Sequence, residues 1–213
     1  MAGRLLDVSG FVLAGGASRR MGRPKALLPF AGEILVERQV RLLGEVCRRV
    51  AVIGAPELLP GSRIPVLADL ISGSGPLAGI WTGLASSATE YNLFIGCDMP
   101  FLTARFLGWL ARRGMREEAG VTVTESREGK LNPLAAVYRR SVLDAIRISI
   151  EKGEFSVRKF YPNVRCHTVR WPELARAGFS PRIFDNLNTP ADYKAAMATV
   201  EGKCKLRRMK DEV

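Results

Sequence analysis

The chain has 213 residues, 47% hydrophobic and 25% charged, which suits one well-buried core, and no apolar run approaches the roughly 20 residues that span a bilayer. Four cysteines scattered without metal-ligand spacing and a single histidine, His167, argue against a structural zinc site. The N-terminal MAGRLLDVSG lacks the apolar centre of a signal peptide, so a cytoplasmic protein with no membrane partner is expected.

In chain order, residues 11–13 form a short apolar run that reads as a buried strand. It runs through Leu13 and Ala14 into the paired glycines Gly15 and Gly16 and then a cluster of cations. Glycine lets backbone N–H groups come close to a polyphosphate. Arg19, Arg20, Arg23 and Lys25 supply the positive charge that phosphate oxygens require. The segment asks for an anion, and a nucleotide is the first candidate. It is not a Walker A loop, because Lys25 stands apart from Gly22 and is followed by Ala26 rather than a hydroxyl. Nor is it the dinucleotide fingerprint G-x-G-x-x-G, because Gly15 and Gly16 are adjacent. A merely structural turn is the alternative, and the position directly after a first strand weighs for a ligand.

Residues 33–46 are expected to form a helix with Ile34, Leu35, Val40, Leu43 and Val46 on one face and Arg38, Arg41 and Glu45 elsewhere. Short strands are expected at residues 49–53 and 64–67. After the second of them come Asp69, Gly73, Gly75 and Pro76, with Pro76 suited to the first turn of a helix over residues 77–85. That helix start is a ready anion site, and Asp69 can accept hydrogen bonds from a base or ribose or simply cap its loop.

Residues 92–95 read as a buried strand that delivers Asp98 to its C-terminal end. A hard oxygen ligand there suits Mg²⁺, which takes one or two carboxylates plus substrate phosphates. The alternative is a turn cap before Pro100. Cys97, pointing the opposite way, is most simply core. Thr103 is expected to cap a helix through residue 113. Strands at 121–124 and 134–138 and a helix at 141–150 come next. Asn186 and Asn188 stand at alternate positions, hence on one face if that segment is extended. They suit polar ligand recognition or a turn and helix cap before Pro190, which begins a last helix.

The densest basic cluster outside the first loop, residues 203–210, reads as a solvated end, and the remaining cations are spread along the chain. Attraction of polyanionic small molecules therefore explains the net charge of +11 better than nucleic acid does. Alternating strands and helices at this pitch imply a single α/β domain, doubly wound, with a mostly parallel sheet and helices on both faces. Its expected extent is residues 1–200, with a basic tail over 201–213.

Four motifs together resemble the molybdenum cofactor guanylyltransferases, within the sugar-nucleotide-type nucleotidyltransferases. They are Leu13-Ala14-Gly15-Gly16-x-Ser18-x-Arg20-Met21-Gly22 with Lys25, then Gly75-Pro76-Leu77-Ala78-Gly79, Cys97-Asp98-Met99-Pro100 and Asn186-x-Asn188-Thr189-Pro190. The second and third are the more discriminating, and Gly15 favours the guanylyl over the related cytidylyl branch.

The resemblance implies a Rossmann-like fold and transfer of GMP from GTP to molybdopterin, with Mg²⁺ as cofactor. It implies GTP contacts at Leu13, Ala14, Gly15, Gly16, Gly75, Pro76 and Lys25. It also implies a base- or ribose-side role for Asp69, a metal-ligand role for Asp98 with contact to GTP, phosphate neutralisation by Arg20, and places for Asn186 and Asn188 at the pterin substrate and the metal-proximal region. Catalysis would then fall to Arg20, Lys25 and Asp98, with proteins of molybdenum insertion and of cofactor delivery to molybdoenzymes as partners. Two positions depart from the family pattern: Gly54-Ala55 stands where an asparagine is frequent, and Asn132-Pro133 where His-Pro is common. A cytidylyltransferase, or another nucleotidyltransferase of this fold acting on a different base or acceptor, is one alternative. A non-catalytic adaptor to a molybdoenzyme is the other, and pure binding would need no metal carboxylate.

Overall fold

The computed structural model of the chain describes residues 6–15, 24–71 and 75–211, with side chains through residue 202. In strand β1 (Leu6–Leu13) the period of two sends Val8 and Val12 into one apolar cluster and Phe11 and Leu13 into another. A strand apolar on both faces belongs in the middle of a sheet covered on both sides. β2 (Pro29–Phe30) and β3 (Glu33–Ile34) make a separate hairpin, closed by Ala31 and Gly32 at φ 53° and 86°. Positive φ at both loop residues matches the twist of a two-residue hairpin.

This hairpin takes the first two residues of the helix expected from position 33, so α1 spans Leu35–Gly44. Its buried residues are Leu35, Val36, Gln39, Leu42 and Leu43, so a glutamine sits in the stripe where apolar periodicity favours Val40. The chain continues through β4 (Cys47–Ile53), β5 (Val66–Leu67), α2 (Gly75–Ser86) and β6 (Tyr91–Gly96). α3 (Ala104–Arg116) is capped as expected, with the Thr103 hydroxyl accepting the Phe106 N–H at 3.2 Å. Then come β7 (Val121–Glu125), β8 (Leu131–Arg139), α4 (Leu143–Glu151), α5 (Val157–Phe160), β9 (Cys166–Val169), α6 (Trp171–Arg176) and α7 (Pro190–Asp211).

Among the described residues the main sheet runs β5-β4-β1-β6-β8-β7-β9. Every neighbouring pair is parallel except those of β8, which is antiparallel to both β6 and β7. α1 and α3 bury Leu42, Leu43, Phe106, Leu107 and Leu110 on the face of Val8 and Val12. α2 and α4 bury Leu77, Ile80, Leu84 and Ile146 on the face of Phe11 and Leu13. The doubly wound, mostly parallel arrangement is thus present.

From β1 the chain moves outward to β4 and β5, and from β6 it moves the other way. The C-terminal ends of β1 and β6 therefore flank the topological switch point, where open α/β sheets hold ligands. Leu13 pairs with Gly96 in register, and the Cys97 N–H donates to the Leu13 carbonyl at 3.1 Å.

Two glycines one turn apart on α2 set how closely that helix lies on the sheet. A Cβ at Gly79 would stand 3.0 Å from a Leu13 methyl, and one at Gly83 only 2.6 Å from the Phe94 ring. Gly83→Ala is therefore expected to destabilise by about 1–3 kcal/mol through overpacking, although alanine is the better helix former. Urea unfolding checks the sign: a higher midpoint for the alanine variant would contradict it.

The backbone of residues 201–211 continues α7. Near its start, Ala196 packs with Leu28, Phe30, Leu35 and Leu187, seating this helix on the hairpin. No described helix is long and apolar enough to cross a membrane.

Candidate nucleotide site

The Ala14 N–H donates to the Ile53 carbonyl at 2.8 Å, so β1 carries its pairing one residue past the strand and presents Ala14 and Gly15 at the crevice. Ala14 passes close to β4: a Cβ at Gly54 would stand 3.4 Å from its carbonyl carbon and 2.7 Å from Leu58. A glycine at the position where the resemblance offers asparagine thus serves close backbone approach. Gly16 and Arg20 lie outside the described residues.

Lys25 opens a single 3-10 turn, Lys25–Leu27, held by the Leu27 N–H on the Pro24 carbonyl at 3.1 Å and the Leu28 N–H on the Lys25 carbonyl at 3.0 Å. Buried Ala26 and Leu28 anchor the turn and leave the lysine facing the crevice. Its Nζ lies 3.3 Å from Asp98 Oδ2 and donates to Asn188 Oδ1 at 3.0 Å. Residues far apart in sequence therefore meet at one point.

Asp98 lies just past β6 with its side chain about one quarter exposed. Gly96 makes the space for it, since a Cβ there would stand 2.8 Å from Asp98 Oδ1. Cys97 turns into the core, as its alternation requires; burial, and then the Asp98 charge beside it, push its thiol up to about 12. It stays protonated at neutral pH and is no nucleophile.

Asp69 lies past the end of β5, where its Oδ1 accepts the Ile71 N–H at 3.3 Å, the loop-capping role. Among the described residues its second carboxylate oxygen takes no hydrogen-bond partner. Gly75 takes φ +74° at the start of α2, a conformation that favours glycine, and Pro76 comes next at the helix start.

The Asn-x-Asn segment is not an extended strand. The Asn188 N–H bonds the Asn186 carbonyl and Asp192 Oδ2, and Thr189 and Asp192 bond each other reciprocally. The turn prepares the N-terminus of α7, so the two asparagines do not share one face of a strand. Asn188 joins Lys25. Asn186 instead donates to the Phe184 carbonyl at 3.1 Å and lines a groove of about 250 Å³ with Phe101, Arg182, Asp185 and Asp192. The T-x-x-D spacing of Thr189 and Asp192 is the local signal that announces this cap.

Among the described residues no group of three or more His, Cys, Asp or Glu assembles. Asp98 offers a carboxylate at the crevice, which fits an ion held by one carboxylate and substrate phosphates rather than by a protein cage.

A lysine and a strand-end carboxylate thus stand at the switch point of a doubly wound α/β sheet, where such sheets hold ligands. The family model of the MobA-like NTP transferase domain matches residues 10–166. The chain is 38% identical over 201 residues to a probable molybdenum cofactor guanylyltransferase of Pelotomaculum thermopropionicum, covering 92% of this chain and 95% of that protein. A probable molybdenum cofactor guanylyltransferase of Carboxydothermus hydrogenoformans is 32% identical over 86% of this chain and 91% of its own length. The chain belongs to the MobA-like NTP transferase family. In fold it is similar to molybdopterin-guanine dinucleotide biosynthesis protein A of Archaeoglobus fulgidus, with TM-score 0.80 and 23% identity over 91% of this chain and 99% of that one.

Proposed function

We propose that this protein transfers GMP from GTP to molybdopterin, giving the guanine dinucleotide and pyrophosphate. The observation that carries the proposal is the meeting of Lys25, Asp98 and Asn188 where β1 and β6 end. The relatives that match most of the chain bear the guanylyltransferase name.

In the proposed reaction an oxygen of the pterin phosphate attacks the α-phosphorus of GTP. That P–O bond forms as the α–β bridge breaks, and the electron pair leaves with pyrophosphate. The attacking phosphate is largely ionised near neutral pH, so no general base is needed. The protein's work is placement and charge. Backbone N–H groups at Gly15 and Gly16 and the start of α2 would bind phosphate, Lys25 and Arg20 would neutralise it, and Asp69 would orient the base or ribose. Asn188, and Asn186 from its groove, would face the pterin side. Asp98 would hold Mg²⁺, which when bound supplies charge to the phosphates.

Until a triphosphate enters, Lys25 and Asp98 neutralise each other, and phosphate oxygens then compete for the ammonium. The enzyme would work in the cytoplasm, receiving its pterin from, and passing its product to, other proteins of the cofactor route.

Calorimetric titration with GTP, CTP and ATP in the presence of Mg²⁺ is expected to give selective GTP binding. Preference for CTP would move the protein to the cytidylyl branch.

A further inference from the structure

The chain just after Asp98 is gripped in an unusual way. Three consecutive carbonyls, those of Asp98, Met99 and Pro100, are each held by a donor from elsewhere in the fold. The Leu187 N–H donates to the Asp98 carbonyl at 2.9 Å. Gln39 Nε2 donates to the Met99 carbonyl at 2.7 Å, and Arg38 Nε to the Pro100 carbonyl at 3.0 Å. The last two are neighbours on α1.

Gln39 is fully buried among Leu35, Val36, Leu42 and Leu43, and its Oε1 finds no partner among the described residues. Turning the amide over would set Oε1 against the Met99 carbonyl, so its orientation is fixed. A half-satisfied amide in an apolar stripe is a net cost to folding, which a methionine of similar volume would avoid. The bond to Met99 is what the amide provides in return.

Arg38 is itself held. Its Nη1 donates to Glu33 Oε1 at 3.0 Å, and its guanidinium lies 5.7 Å from the centroid of the Phe30 ring. Hydrogen bonds from Arg41 first, and also from Arg38, keep the Glu33 carboxyl below the usual range despite partial burial, so it stays charged at neutral pH. Glu33, Arg38 and Pro100 thus form a continuous chain from the hairpin to the Asp98 segment.

We infer that Gln39 and Arg38 are positioning residues for Asp98: their grip on the next two carbonyls fixes where its carboxylate stands in the crevice. The inference rests on the metal-ligand assignment of Asp98 proposed above. Among the described residues neither side chain hydrogen-bonds Lys25, Asp98 or Asn188 directly. Their effect passes through the backbone, in the way partners behind a ligand tune a metal site.

Gln39→Met, Arg38→Met and Asp98→Ala of the full-length protein, with wild type, test it by Mn²⁺ binding at saturating GTP. Free Mn²⁺ is read by electron paramagnetic resonance, and metal-free GTP affinity by calorimetry. Gln39→Met is expected to weaken Mn²⁺ about 10-fold, with the melting temperature equal to or above that of wild type and metal-free GTP affinity unchanged. If Asp98→Ala weakens Mn²⁺ and Gln39→Met does not, the positioning role is wrong while the Asp98 assignment stands. Unchanged Mn²⁺ affinity in Asp98→Ala removes both. A parallel loss of metal-free GTP binding in Gln39→Met would make Gln39 merely structural and overturn the inference. If that variant does not fold, Arg38→Met carries the test with the same readouts and the same outcomes.

Discussion

Asp98→Ala is expected to lower the rate of guanylyl transfer by roughly 10³-fold or more at saturating Mg²⁺, with the fold intact. Among the described residues no group of three or more His, Cys, Asp or Glu surrounds it to take its place. Little stability should be lost. The Leu187 hydrogen bond is to the Asp98 backbone carbonyl, which alanine keeps. The ion pair with Lys25 has both side chains in partial contact with water, at 19% and 25% exposure, and such pairs contribute about 1 kcal/mol or less. Asp98→Asn is the sharper variant, because it keeps the shape and removes the charge. It should fall nearly as far if the carboxylate's role is to bind a cation, and should keep much of the rate if the side chain only caps the turn before Pro100. Initial rates of pyrophosphate release from GTP and molybdopterin decide it, and full turnover in Asp98→Ala would remove the metal-ligand role.

The parts of this site that were legible in the sequence are those fixed by strand ends. Val12-Leu13 and Leu93-Phe94-Ile95 read as strands because they are apolar on both faces, and residues just past the ends of such strands lie along one edge of an α/β sheet. Ala14, Gly15 and Asp98 could therefore be placed without coordinates. Lys25 and Asn188 reach the same point through long-range packing: the burial of Ala26 and Leu28, and the docking of α7 through Ala196. No local pattern encodes those contacts.

Strand β9 has no sequence signature, because His167 and Thr168 give a four-residue segment little apolar signal and its pairing partner β7 is distant in sequence. Gln39 was hidden for the opposite reason. A polar residue on a helix is assigned to solvent by hydrophobic periodicity, and only the Met99 carbonyl explains its burial. The asparagine pair shows a third limit: alternation predicts a shared face only if the segment is extended, and the Thr189–Asp192 cap turned it instead.

Lys25→Ala is expected to lower kcat about 10²- to 10³-fold with a smaller change in KM, the pattern of a charge that acts mainly as negative charge develops on the departing pyrophosphate. Lys25→Arg should recover only part of the loss. The 3-10 turn fixes the backbone of the lysine, and a planar guanidinium cannot reproduce a point charge placed between Asp98 and Asn188. The 3.3 Å contact between Lys25 and Asp98 makes a further demand on the kinetics. In the proposed reaction Lys25 and the ion held by Asp98 act on the same phosphates, so losing either one already forfeits part of what the other contributes. The double variant Lys25→Ala/Asp98→Ala should therefore lose less than the sum of the two single losses in ΔΔG‡. Strict additivity in that cycle would mean that the two side chains act on separate parts of the substrate and that their contact has no bearing on transfer.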